Sequence, residues 1–426
     1  MRIARHRLLL ACLLCLAACA TPPPAASPVP RAAAEARSLL LVSLDGVHPH
    51  DLGRGDTPRI DRLAREGVRA RWMTPSYPSL TFPNHYSIVT GLRPDRHGIV
   101  HNTMHDAALG DFALKNRDAV GDARWWGGEP LWVTAERAGL ATATLSWPGS
   151  EAAVQGVRPR RWHPFDAGRP IAQRVDIVAG WLSEPAATRP RLATLYFEHP
   201  DGAAHAHGPG SPQLREAMRR VDAAIGALLD RLADSGTLAR TDIVIVSDHG
   251  MAPVPEGQVV PIEDMVDPRD AAPVTDGQVV GFRPLPGREA AAERQLLGRH
   301  AHHECWRRHA LPPRWRYGTH PRIPPIVCQM DPGWDALPQA RLARRPPGTR
   351  GSHGYDPAEP AMRAVFIASG PSFRRGVTLP EFDNVDVYPL LAHLLGVPAA
   401  PNDGDPDTLR PALRQAAADA ARAPPH

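Results

Sequence analysis

Ser38-Leu39-Leu40-Leu41-Val42-Ser43-Leu44 is an almost unbroken apolar run, and Asp45-Gly46 ends it. A run of this length and content reads as a strand buried on both faces, as in a parallel sheet. The shape recurs at residues 191–197, before Glu198-His199-Pro200-Asp201, and at residues 242–247, before Asp248-His249-Gly250. Residues 141–147 and 363–369 give further strands. Between them Met218, Val221, Ile225, Leu228, Leu229 and Leu232 recur at helical spacing, and residues 385–395 form a second amphipathic helix. Strands alternating with helices predict an α/β fold: a mostly parallel sheet covered on both faces, with ligands at the carboxyl ends of its strands.

The chain of 426 residues can bury a large core. Candidate ligands run from Asp45 to His353, and one site must collect them all, which favours a single elaborated domain over residues 38–400. Proline reaches 48 of 426 residues, about twice the usual share of roughly 5%. Residues 271–350 dissolve into Pro, Arg and His with little periodicity and read as a loop-rich insertion or lid. Residues 401–426 form a polar, alanine-rich tail.

Residues 1–18 have the pattern of an export signal: Arg2, Arg5 and Arg7, an apolar stretch from Leu8 to Leu16, then Leu16-Ala17-Ala18-Cys19. The last four resemble a bacterial lipobox, which implies lipidation of Cys19, a membrane anchor and a periplasmic, outer-membrane location. An ordinary signal cleaved near Ala20 is the alternative. Residues 19–37, rich in Pro and Ala, then act as a spacer. Without the three signal arginines the formal charge falls from +4 to +1, and no basic stripe argues for a nucleic-acid-binding module. Export also leaves Cys305 and Cys328 as the two available thiols in an oxidising compartment, so a disulfide between them is expected.

Asp45, Asp201, His205, Asp248, His249 and His353 are oxygen and nitrogen donors suited to zinc, and the absence of cysteine among them argues against a closed structural site. Six such ligands divide into two sets of three, each with a position left open. Asp201 and His205 face the same way if their segment is helical. Asp248 and His249 are adjacent, so a turn must aim them together, with Gly250 giving it freedom. Thr81, in Tyr77-Pro78-Ser79-Leu80-Thr81-Phe82-Pro83-Asn84-His85, is a candidate nucleophile once a metal lowers its pKa. It is equally a candidate helix N-cap, and a threonine at a helix start can do both.

Leu44-Asp45-Gly46, residues 57–63, residues 81–91, His97-Gly98-Ile99, residues 247–251 and His353-Gly354-Tyr355 together resemble the nucleotide pyrophosphatase/phosphodiesterase family of the alkaline phosphatase superfamily. The resemblance runs in order from about Leu39 to Val397. It implies an alkaline-phosphatase-like three-layer α/β/α sandwich and two zinc ions. Asp45, Thr81, Asp248 and His249 would serve the first zinc, with Thr81 also the nucleophile, and Asp201, His205 and His353 the second. Asn102 matches the residue that hydrogen-bonds a phosphate oxygen. Phe82 and Phe165 resemble an aromatic pair that sandwiches a nucleobase, whereas Trp125 and Trp126 read as core or pocket wall.

The implied reaction is hydrolysis of nucleotide phosphodiester and pyrophosphate bonds through a covalent phospho-threonine, releasing nucleoside 5′-monophosphates. A lipid-type, choline- or glycerol-linked phosphodiesterase or a monoesterase could use the same core. A monoesterase would need a cation on its doubly charged phosphoryl group, and no arginine neighbours Thr81 in the sequence. A surface lipoprotein that binds phosphorylated ligands without turnover is the reading from another class, and the presence of the full ligand set counts against it.

Overall fold

The computed structural model describes residues 37–414. Its main sheet is built from Ser38–Leu44 (β1), Val68–Ala70 (β2), Thr142–Leu145 (β3), Arg161–His163 (β4), Leu192–Phe197 (β5), Thr241–Val246 (β6), Phe366–Ser369 (β7) and Val377–Leu379 (β8). In space the order is β8-β2-β7-β6-β1-β5-β3-β4. The central strand β1 pairs in parallel with β5 and β6, and β7 alone runs against its neighbours. The three runs followed by acidic turns are therefore the three middle strands, and their carboxyl ends open on the same edge.

Alternate residues of β1 belong to different cores. Leu39 and Leu41 join the cluster containing Tyr86, Ile88 and Leu391, whereas Leu40, Val42 and Leu44 join the one containing Val178, Val221 and Leu228. Because successive strand side chains point to opposite faces, this split is a three-layer sandwich at residue level. On one face lie Thr81–Thr90 and Val387–Leu395; on the other lie Pro58–Glu66, Ile171–Leu182 and Pro212–Asp234. In chain order we call these five helices, with His199–His207, α1 (Pro58–Glu66), α2 (Thr81–Thr90), α3 (Ile171–Leu182), α4 (His199–His207), α5 (Pro212–Asp234) and α6 (Val387–Leu395). The stripe read at residues 218–232 is the buried face of α5, each large apolar side chain contributing roughly 1.5–3 kcal/mol by leaving water.

Residues 271–350 contain more order than their composition suggests. Ala271–Pro273, Val279–Pro284, Ile326–Met330, His303–Arg307 and Gly298–Arg299 form an antiparallel five-stranded sheet in that spatial order. Val280, Phe282 and Ile326 give it its own apolar cluster. Cys305 and Cys328 stand opposite each other in register and form a disulfide. Its strands are two to six residues long, too short to establish a period, and the connection over residues 308–325 is proline-rich.

Among the described residues no helix is long and apolar enough to cross a membrane. The export signal, Cys19 and most of the 19–37 spacer lie outside the described residues, as does the tail beyond residue 414.

Candidate active site

Asp45 is the first residue past β1, Asp248 the second past β6, and Asp201 lies in the first turn of α4, just beyond β5. His205 follows Asp201 by four residues on the same helix, with Nε2 3.4 Å from Asp201 Oδ1. His353 comes from farther along the chain, after the strand Arg350–Ser352, which pairs with Ala252–Val254. The six residues fall into two groups: Asp45, Asp248 and His249, and Asp201, His205 and His353. Within each group one ligand atom per residue lies within 4.8 Å of the others. The groups adjoin, because the rings of His249 and His353 stack with centroids 3.6 Å apart.

All three imidazoles are held in one orientation. The Nδ1 atoms of His249, His205 and His353 face the carbonyl oxygens of Gly250, Gly351 and Ser79 at 2.9, 2.8 and 3.0 Å. A carbonyl only accepts, so each Nδ1 carries a proton, and in the neutral ring, the form that binds a metal, each Nε2 turns a lone pair inward. The Nε2 atoms of His205 and His353 then meet at 3.1 Å, an approach that two lone pairs favour only around a shared cation or proton. Backbone partners that fix a histidine in this way are the usual outer support of a metal ligand.

The carboxylates tell the same story. Asp45 Oδ1, Asp201 Oδ1 and Asp248 Oδ2 are buried without a hydrogen-bond partner, a costly state for a carboxylate unless something charged compensates it. Burial pushes the Asp45 carboxyl well above its ordinary pKa, and the charges of Asp248 and Asp201 push it further. Burial likewise raises Asp201 and holds the His353 imidazole well below its usual value, where His249 and His205 also repel a proton. Asp248 departs the other way: its Oδ2 lies 2.9 Å from His249 Nε2 and 3.3 Å from His85 Nδ1, and despite its burial those rings, when protonated, hold it well below the carboxylate range. Three orphaned oxygens and three inward Nε2 atoms fit divalent cations. The further grouping of His300, His303 and Cys305 has its sulfur committed to the disulfide.

Gly46 and Gly250 let the turns close. Gly46 sits at φ +69° beside Asp201, and its N–H donates to Asp248 Oδ1 at 3.1 Å. Gly250 was expected to supply conformational freedom; instead it supplies space. Its φ is not positive, and a Cβ there would lie 2.2 Å from the Ala361 carbonyl oxygen.

Thr81 is the first residue of α2, and Leu80 occupies the cap position without any side-chain cap bond. The hydroxyl is therefore not spent on capping. It lies 3.4 Å from His249 Nε2, at the positive end of the helix. Asn102 Oδ1 accepts from the Phe82 N–H at 2.9 Å, which leaves its NH2 as the donating end. Asn102 lines a cavity of about 510 Å3 with His205 and His353.

The two phenylalanines are half-buried and separately placed. Phe82 packs against Phe112 and Trp126, both with centroids at 5.9 Å, while Phe165 meets Tyr196 edge-on at 6.0 Å. Trp125 and Trp126 are buried, as core residues should be.

Three supporting residues had no assigned part in the sequence. The Tyr196 hydroxyl donates to Asp45 Oδ2. His85, one turn after Thr81 on α2, places Nδ1 2.8 Å from the Thr81 carbonyl oxygen and 3.3 Å from Asp248 Oδ2. Ser43 Oγ meets His85 Nε2 at 2.7 Å. The four-residue spacing from Thr81 was a usable signal for His85; Tyr196 and Ser43 sit inside strands and gave none.

The family model for type I phosphodiesterase/nucleotide pyrophosphatase matches residues 39–356. A Schizosaccharomyces pombe pyrophosphatase/phosphodiesterase is 36% identical over 388 residues, covering 86% of this chain and 78% of that one. Human ectonucleotide pyrophosphatase/phosphodiesterase family member 7 is 33% identical, covering 88% of this chain and 83% of its own length. The chain spans less than half of rat family member 1, to which it is 34% identical over 89% of its own length and 43% of the relative's. Among solved structures, an inactive variant of murine ectonucleotide pyrophosphatase/phosphodiesterase 5 in complex with AMP superposes with a TM-score of 0.84 at 30% identity, over 89% of this chain and 100% of that one. With these likenesses along nearly its whole described length, the chain belongs to the type I phosphodiesterase/nucleotide pyrophosphatase family and is an enzyme of that class.

Proposed function

We propose that the protein hydrolyses nucleotide phosphodiester and pyrophosphate bonds, with Thr81 as nucleophile, and releases nucleoside 5′-monophosphates. The observation that carries this reading is the pair of adjoining three-ligand groups, every Nε2 turned inward, with an uncapped threonine hydroxyl at their edge. Asp45, Asp248 and His249, with Thr81, would hold one divalent cation; Asp201, His205 and His353 would hold the other. A sulfur-free set of carboxylates and imidazoles suits zinc, with manganese and cobalt close behind. When bound, such a pair supplies Lewis acidity, making hydroxyls more acidic and neutralising phosphoryl charge.

Thr81 Oγ forms the new bond to phosphorus while the alcohol or phosphate on the far side departs. The positive end of α2 favours the alkoxide as it develops. Asn102, its carbonyl oxygen fixed by the Phe82 N–H, turns its NH2 to a non-bridging phosphate oxygen. Water then breaks the phospho-threonine ester from the side the leaving group vacated, so two displacements retain configuration at phosphorus. Phe82 and Phe165 would stack on the base, an interaction worth about 1–3 kcal/mol and tolerant of base identity. The AMP held by the murine relative supports a nucleotide over a lipid or choline ester. Export with lipidation at Cys19 would put this chemistry at the outer membrane, facing the periplasm.

The test compares hydrolysis of the p-nitrophenyl ester of TMP, bis-p-nitrophenyl phosphate and p-nitrophenyl phosphate, with and without a chelator. The nucleotide ester should be fastest and chelation should stop it. Thr81→Ala should abolish turnover and keep its metal. A preference for the monoester, or an active Thr81→Ala variant, overturns the reading.

A further inference from the structure

A cleft of about 610 Å3 lies outside the two ligand groups, bounded by α1, by β2 and the residues after it, by Arg363 and by the loop that follows β1. None of Asp45, Thr81, Asp201, His205, Asp248, His249 and His353 lines it. Its volume falls within the range of small-molecule sites.

The charge of this cleft is one-sided. Arg65, Arg69, Arg71 and Arg363 line it against a single carboxylate, Asp61; His48, also in the lining, is neutral, its Nδ1 accepting from the His50 N–H. Asp61 is already engaged, accepting from the Gly53 N–H and the Thr57 hydroxyl at 3.0 Å each. Arg71 lies 3.5 Å from Glu381 in an exposed pair, which is worth little. Among the described residues Arg65, Arg69 and Arg363 have no carboxylate partner; Arg69 Nε reaches the Thr378 hydroxyl at a long 3.4 Å. The Arg363 guanidinium lies 3.9 Å above the Trp72 ring centroid. Stacking fixes its plane and leaves its N–H groups for an acceptor.

These cations come from separate elements, Arg65 from the last turn of α1, Arg69 from β2 and Arg363 from the approach to β7. They are therefore not one solvated helix face. Guanidinium groups are the protein chemistry best matched to phosphate, through paired, charge-assisted hydrogen bonds, and four of them line this one cleft. We propose that this cleft is a second binding site, for a soluble phosphate-bearing anion of nucleotide size. It backs onto the active site: the His48 ring and the Arg363 carbonyl oxygen would lie 3.0 and 2.8 Å from a Cβ on Gly250, the residue after His249.

AMP is the probe, titrated calorimetrically into the metal-loaded protein and into an Arg65→Gln/Arg69→Gln variant, whose two positions are exposed and whose fold is checked by an unchanged rate on the nucleotide ester. The parent should show one more AMP site than the variant, or a site weakened about tenfold or more in the variant. This difference stands even if the catalytic cleft takes no AMP, so failure of the nucleotide reading and failure of the second site are separable. Identical isotherms for parent and variant overturn the proposal. So does a variant altered only in sedimentation with anionic phospholipid vesicles, which would make the cleft a membrane contact.

Discussion

The edge of the main sheet and the five-stranded sheet of residues 271–350 differ in the charge of the polar groups they leave buried without a partner. At the edge, Asp45, Asp201 and Asp248 each bury an oxygen without a partner, around histidines whose Nε2 atoms also point inward. Beside the smaller sheet the buried carboxylate of Asp335 is paired: Gln278 donates to it and to Ser352, and Arg345 meets it at 2.8 Å. One region is built from long buried strands and leaves carboxylate charge uncompensated; the other is short and stapled by a disulfide, and the buried atoms it leaves without partners, both ring nitrogens of His303 and Gln329 Oε1, belong to uncharged side chains. Unpaired buried charge, far costlier than an unpaired neutral group, persists where rigid surroundings hold it and a ligand compensates it. The contrast assigns chemistry to the edge and support to the insertion.

The most damaging change to the edge should be Asp248→Asn. Asp248 sits in one ligand group, accepts from Gly46, and lies beside both His249 and His85. Removing its charge from a fully buried position should strip metal from its group and reduce turnover by more than the roughly 10–100-fold cost of losing an outer partner. Metal content and hydrolysis of the nucleotide ester measure both. Full metal loading with normal turnover would break the contrast outright.

A smaller effect, of about 10–100-fold in metal affinity or rate, is expected for Tyr196→Phe. The substitution removes the hydroxyl that donates to Asp45 and keeps the ring packed against His85 and Phe165. Thermal stability should hardly move while metal titration weakens. Equal affinity in the variant would place Tyr196 among packing residues only.

Both regions bear on what the sequence reveals. The middle strands were legible because they are buried on both faces, so β1, β5 and β6 read as apolar runs ended by Asp45, by Asp201 and by Asp248-His249. Thr81 and His353 end no such run: residue type alone made them candidates, with an N-cap equally open for Thr81, the family resemblance gave them their roles, and α2 and the Arg350–Ser352 strand explain their arrival. Tyr196 was hidden because a strand residue facing a carboxylate looks like any other aromatic in an apolar run. The smaller sheet was hidden for another reason: pairing across loops leaves no local period, and strands such as Gly298–Arg299 are two residues long. Only Cys305 and Cys328 marked it, through their number and compartment rather than their spacing.

The least effect on chemistry should come from Cys305→Ser/Cys328→Ser. The two residues face each other across neighbouring antiparallel strands and close a loop with a sequence separation of 23. Losing such a link costs about 2–4 kcal/mol, chiefly by freeing the unfolded chain. The thermal midpoint should therefore fall while the rate at 25 °C stays close to that of the parent, because neither sulfur approaches the ligand groups. Gln278 and Asp335 nevertheless line the cavity beside His353, so the insertion touches the site through its wall. A variant that kept its midpoint and lost its rate would show that the staple positions this wall, making the smaller sheet part of the catalytic apparatus rather than its support.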